Sequence, residues 1–137
     1  METQAQPKYR TITLTDRQPV KIREDEWPIL AKGSYATWDG QYECQATQTR
    51  RIHITVRQHA DGRAIVYGRY DYTTRWQGAK GVRHNVGHLC DRPISTAELV
   101  KAIQDVGREL ADRVGEDMPD IRDVANECIA GLPAEVI

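Results

Sequence analysis

The side chains best suited to chemistry gather in "HNVGHLC", where His84, His88 and Cys90 stand within seven positions. Zinc takes neutral imidazole and thiolate ligands in a tetrahedron, and a His-x3-His spacing brings two imidazoles together when both lie on one face of a helix. Asn85 and Gly87 oppose that helix, and a fourth ligand, Cys44 or His53, has to arrive by folding. The trio therefore reads as surface or hydrogen-bonded histidines, and no metal is assigned. A thiol nucleophile needs a cysteine beside a histidine that a third group holds. Cys128 lies on an apolar helical stripe and reads as core, while neither Cys44 nor Cys90 has the electropositive surroundings that lower a thiol pKa. The "GAKG" of residues 78–81 lacks the spacing of a phosphate loop, and Val82 stands after it. No catalytic residue and no cofactor is expected, and the chain reads as non-enzymatic.

Binding chemistry is better represented. In "RIHITVRQHADGRAIVYGRYDY", residues 51–72, period-2 alternation marks two strands joined by a turn. A two-residue Asp61-Gly62 turn would place Ile54 on one face with Arg69, and Ile52 with Asp71. A three-residue Ala60-Asp61-Gly62 loop sets Val56 opposite Val66, Ile54 opposite Gly68 and Ile52 opposite Tyr70. One register step exchanges the faces wholesale, so the apolar pattern selects the longer loop, with Gly62 left-handed. Arg51, His53, Arg57, Tyr67 and Arg69 then share the other face and are expected to point away from the core. Arginine neutralises phosphate and aromatic rings stack on bases, so this face suits an anionic partner, nucleic acid included. A solvated sheet face is the plain alternative.

Charge segregates along the chain. Residues 50–83 carry eight Lys or Arg against Asp61 and Asp71, whereas residues 91–137 carry eleven acids against five bases, within a formal net charge of −1. Asp112, Glu116, Asp117 and Asp120 gather where two helices meet and form the alternative partner-binding surface, one that would dock on a basic groove. Acids near a helix N-terminus also have a local use, because they complement its dipole.

The elements that must position these groups follow from pattern. "YRTITLT" alternates from Tyr9, placing Ile12 and Leu14 on one face, and "VKI" from Val20 completes a first hairpin. Pro28 confines "DEWPILAKG" to a strand start, an edge or a short turn. Residues 33–50 read as a long polar loop with a strand around Tyr42 to Ala46, and a last short strand is expected near Val86 to Cys90. Ser95 and Glu98 form a capping box, after which Leu99, Ile103, Val106, Leu110 and Val114 recur at helical steps until Gly115. Ile121, Val124, Ala125, Cys128 and Ile129 mark a second helix that Gly131 and Pro133 end. The fold expected is α+β: an antiparallel sheet of about four to six strands over residues 9–90, then two C-terminal amphipathic helices packed on one face. Residues 1–8 read as a flexible N-terminus and 9–137 as one domain.

With 137 residues, 39% apolar and 28% charged, the chain is long enough for a core without metal or disulfide staples. Its apolar runs are far shorter than the roughly 20 residues of a transmembrane helix, "METQAQPKYR" lacks a signal-peptide core, and three scattered cysteines do not form a disulfide framework. A cytoplasmic location and no membrane partner are expected. At "PVKIREDEWPILAKG" and "TVRQHADGRAIVYG" the sequence resembles short uncharacterised accessory proteins of bacterial phages and integrative elements, over roughly residues 10–70. The resemblance implies a non-enzymatic protein and transfers no catalytic residue. Such accessory proteins include inhibitors of host defence, anti-CRISPR proteins among them, which implies a host protein or nucleoprotein complex as partner.

Overall fold

The computed structural model describes residues 6–39, 48–74, 82–115 and 119–133. Six strands precede two helices: β1 (Tyr9–Ile12), β2 (Val20–Arg23), β3 (Ile29–Asp39), β4 (Gln48–Gln58), β5 (Ala64–Thr74), β6 (Val82–Cys90), α1 (Thr96–Val114) and α2 (Pro119–Ala130). The architecture is α+β, with antiparallel strands first and helices afterwards. The strands divide between a four-stranded meander, β3-β4-β5-β6, and a separate two-stranded hairpin, β1-β2.

The β4-β5 hairpin sets the register of everything else. Val56 pairs with Val66, Ile54 with Gly68 and Ile52 with Tyr70, as the apolar pattern requires. The His59 N–H donates to the Arg63 carbonyl at 2.9 Å, closing a three-residue loop in which Gly62 has φ +96°. That left-handed backbone is open to glycine at no steric penalty. β6 is longer than the Val86 to Cys90 strand expected, because its basic N-terminal half also pairs with β5, Asp71 lying opposite Arg83.

β3 corrects the loop expected from residue 33. Strand structure runs on to Asp39, with Gly33 opposite Ile54 and Tyr35 opposite Ile52. Gly33 is present there for close packing: a Cβ at this position would collide with the Val124 carbonyl oxygen of α2. The helix thus lies directly on the edge strand, and the Ser34 N–H donates to Glu127 Oε2 at 3.4 Å. That bond gives one backbone N–H of the edge strand a partner. The strand expected around Tyr42 to Ala46 and the "GAKG" segment fall outside the described residues.

Both helices stop and start on local signals. Ser95 is the N-cap of α1, its Oγ accepting from the Glu98 N–H at 3.2 Å and donating to Glu98 Oε1 at the same distance. Gly115 closes the helix at φ 82°, the usual left-handed C-terminal position. Leu99, Ile103, Val106 and Leu110 of α1 and Ile121, Val124, Ala125 and Cys128 of α2 are buried against Ile52, Ile54, Val56, Val66 and Val86 of the sheet. Gly68 leaves room for α1, since a Cβ there would lie 2.8 Å from both Leu110 Cδ1 and Val106 Cγ1.

The opposite face of the sheet carries a second, smaller core. Ile12, Leu14, Ile22 and Trp27 pack with Ile65 of β5. Hydrogen bonds fix the N-terminal segment in place: Thr15 N–H to the Gly87 carbonyl at 2.8 Å, Gly87 N–H to Thr15 Oγ1 at 3.1 Å, and Gln58 N–H to the Pro28 carbonyl at 3.1 Å. Gly87 is required at this crossing, where a Cβ would stand 2.5 Å from the Thr13 carbonyl oxygen. Helices therefore cover one side of the meander, and the hairpin and the Trp27 turn cover half of the other. Among the described residues no helix is long and apolar enough to cross a membrane.

Candidate functional site

Strand alternation sends Ile52, Ile54 and Val56 of β4 inward and Arg51, His53, Thr55 and Arg57 outward. On β5 the outward set is Ile65, Tyr67, Arg69 and Asp71. The sequence-derived face therefore exists, but the N-terminal segment divides it crosswise. Towards the β4-β5 loop, Thr55 and Ile65 are buried and Arg57 is only 5% exposed. This overturns the expectation that Arg57 points into solvent. Its Nε donates to Tyr67 Oη at 2.9 Å and its Nη1 to the Trp27 carbonyl at 3.0 Å, so the guanidinium clamps the Trp27 turn onto the sheet. Tyr67, half-buried and held by that bond, is not a free ring on which a base stacks. Alternation in a hairpin separates its two faces but does not show which of them another segment covers, and here the Trp27 turn covers this end of the outer face.

The half of the face towards the other strand ends stays open. Arg51 is exposed, and His53 and Arg69 are partly exposed. Topology adds three groups that sequence reasoning missed: Arg10 from β1, Lys32 from β3 and Arg83 from β6. Alternation in "VRHNVGH" places Arg83 and Asn85 on one side of their strand, which was a usable signal. For Arg10 and Lys32 no local signal connects them to the hairpin. Asp71 sits between two arginines. Arg83 Nε donates to its Oδ1 at 2.7 Å, and Arg69 Nε lies 3.0 Å from its Oδ2. The second contact is an ion pair without hydrogen-bond alignment, so Arg69 Nε remains a buried donor without an acceptor among the described residues. Arg10 Nε donates to Glu24 Oε1 at 2.8 Å, and that bond holds the Glu24 carboxyl below the ordinary range.

His53 is the centre of this region. Its neighbours in register are Ser34 on β3 and Arg69 on β5. Burial, then the positive charges of Lys32 and Arg69, hold its imidazole pKa below the usual histidine value against a weaker opposing pull from Asp71. Its Nδ1 is buried with no hydrogen-bond partner among the described residues. A cleft of about 250 Å³ runs between β1 and the sheet here, lined among others by Arg10, His53, Arg69, Arg83 and Asn85. The local count is five cations, Arg10, Lys32, Arg51, Arg69 and Arg83, against Glu24 and Asp71.

The other candidates are dispersed. His84, His88 and Cys90 project from β6 towards the helix side, opposite Tyr70, Val66 and Ala64. His84 and His88, four residues apart in a strand, are separated by about 13 Å along it, and His88 Nε2 pairs with Glu109 Oε2 at 2.7 Å. Among the described residues no three His, Cys, Asp or Glu side chains are arranged to hold a metal ion. The Cys90 thiol is pushed up by burial and by nearby Glu98 and Asp91. Cys128 is buried, and burial pushes its thiol up to about 11, so neither sulfur has the setting of an activated nucleophile. Cys44, Glu116 and Asp117 lie outside the described residues. Of the acidic alternative, Asp112 is exposed on α1 and Asp120 is in the first turn of α2, where its charge also acts on Arg50 of β4.

No protein-family model matches this chain, and no curated protein or solved structure is significantly similar to it.

Proposed function

We propose that the protein is a non-enzymatic binding protein that occupies an anionic surface of a partner with the open half of its outer sheet face. Supporting this is one observation above all: Lys32, Arg51, Arg69 and Arg83 stand on the same outer face of four neighbouring strands, in three successive rows, Lys32 level with Thr55, Arg69 with His53, and Arg51 with Asp71 and Arg83, while the opposite side of the sheet is covered by the helices. Cations presented by paired strands are held at fixed spacing, which favours a complementary surface and steers encounter with it. In its most specific form, suggested by the resemblance to phage and mobile-element accessory proteins, the partner is a host defence nucleoprotein complex and the protein is a cytoplasmic inhibitor of it. Affinity capture from host lysate across a salt series tests this. A partner held at low salt and released as salt rises fits contacts between exposed charges. Recovery of no protein or nucleoprotein at low salt contradicts the proposal.

A second reading is direct binding of nucleic acid. Burial of Arg57 and the tie on Tyr67 remove the stacking platform it relied on, so only phosphate contacts through Arg51, Arg69 and their new neighbours remain in its favour. Filter binding of single- and double-stranded oligonucleotides decides it, since phosphate contacts give affinity that falls steeply with salt.

A further inference from the structure

We infer that the cleft between β1 and the outer face of the sheet is a binding site for a single phosphate group, taken up between Arg10, His53, Arg69 and Arg83. Three arginines line it from three strands: Arg10 and Arg83 donate through Nε to Glu24 and Asp71, and Arg69 is ion-paired with Asp71 without hydrogen-bond alignment. No described residue accepts a hydrogen bond from the Nη groups of these three arginines. The Nε hydrogen bonds fix the planar forks of Arg10 and Arg83 and leave their outer donors without an acceptor among the described residues, the form in which arginine binds phosphate through paired hydrogen bonds. Asn85, Thr11 and Thr13 contribute further polar lining.

Size and charge restrict the ligand. At about 250 Å³ the cleft is smaller than the roughly 300–1,000 Å³ of pockets that take drug-sized molecules, so it accommodates a group rather than a whole large ligand. The three arginines of the lining exceed their carboxylate partners, Glu24 and Asp71, by about one positive charge, and Lys32 and Arg51 on the neighbouring strands add to the field that favours an anion. Burial and the neighbouring cations favour the neutral form of His53, and a phosphate seated beside it supplies the opposite charge that favours uptake of a proton. The buried, unpartnered Nδ1 of His53 and Nε of Arg69 belong to the same lining. The identity of the phosphate's carrier rests on the docking reading above, whereas the binding of phosphate itself does not.

The test follows the His53 ring by NMR during pH titration of the full chain, with inorganic phosphate as probe and sodium chloride at matched ionic strength as control. Phosphate is expected to raise the His53 pKa saturably, and Arg83→Gln, an exposed and structurally mild change, is expected to weaken that response about tenfold or more. Arg69→Gln, checked by thermal melting, should act in the same direction. An equal effect from chloride means diffuse screening and overturns the inference, as does no response to phosphate. A short oligonucleotide without a terminal phosphate distinguishes the sources. Competition with inorganic phosphate assigns the site to phosphodiesters as well, and no competition assigns it to a free phosphate monoester. Retention of a lysate partner by a chain with no phosphate response would remove the cleft and leave the docking reading standing.

Discussion

Arg57 shows how one side chain can change meaning between sequence and structure. Alternation placed it correctly on the face away from Ile54, yet that face is roofed by Trp27, whose ring also meets His59 at 5.1 Å and the Arg63 guanidinium at 5.1 Å. Arg57→Met keeps the apolar stem and strips two donors from Tyr67 Oη and the Trp27 carbonyl. It is expected to cost about 1–3 kcal/mol, measurable by urea unfolding. Arg51→Glu, on the open half, should change stability by no more than about 0.5 kcal/mol. His53 carries a pH dependence of defined sign. Its folded pKa lies below the ordinary value of about 6.5, so as pH falls the unfolded chain takes up the proton first. Stability is therefore level with respect to this group above about pH 6.5, declines as pH falls towards the folded pKa, and levels again below it. Unfolding curves between pH 7.5 and 5 should show that slope, and His53→Gln should remove it. The Glu24 carboxyl, held low by Arg10, acts in the acid range below, where stability is lost as it protonates.

At the scale of elements, what was legible in the sequence is what neighbouring residues decide between themselves. The β4-β5 register follows from one choice between loop lengths, and the ends of α1 follow from Ser95, Glu98 and Gly115. Ser95→Ala should accordingly cost about 1 kcal/mol. Residues 33–39 read as a loop because Gly33 and Ser34 have low strand preference and the segment is mostly polar, and the reason for a glycine there sits 91 positions later in the carbonyl of Val124. Gly33→Ala should push α2 off the edge strand at a cost of about 1–3 kcal/mol, seen as a lower melting temperature and as faster amide exchange in α2. The N-terminal half of β6 was lost for a related reason. Polar residues there pair with β5 and make a strand that apolar alternation alone does not reveal.

At the scale of the whole molecule, the sheet has one side closed by helices and the other divided between a small second core and an open basic strip. The basic and acidic halves of the sequence correspond to this arrangement, with the cations on strands and the acids on helices. What no local pattern could supply was the placement of the first 28 residues, which decides which part of the basic face is buried and delivers Arg10 to the remainder. Trp27→Ala should therefore destabilise the fold by about 3–5 kcal/mol, since it opens the second core, and calorimetry would show it. The central claim is that the open strip, and not the covered half or the acidic helices, meets the partner. The measurement that bears on it most directly compares partner capture by the wild-type chain and by Lys32→Glu with Arg51→Glu, both confirmed to melt alike. The double variant is expected to fold normally and to retain far less partner at low salt, because two attractions become repulsions. Undiminished retention by a normally folded double variant would contradict the claim and move the interface to the acidic helices around Asp112 and Asp120.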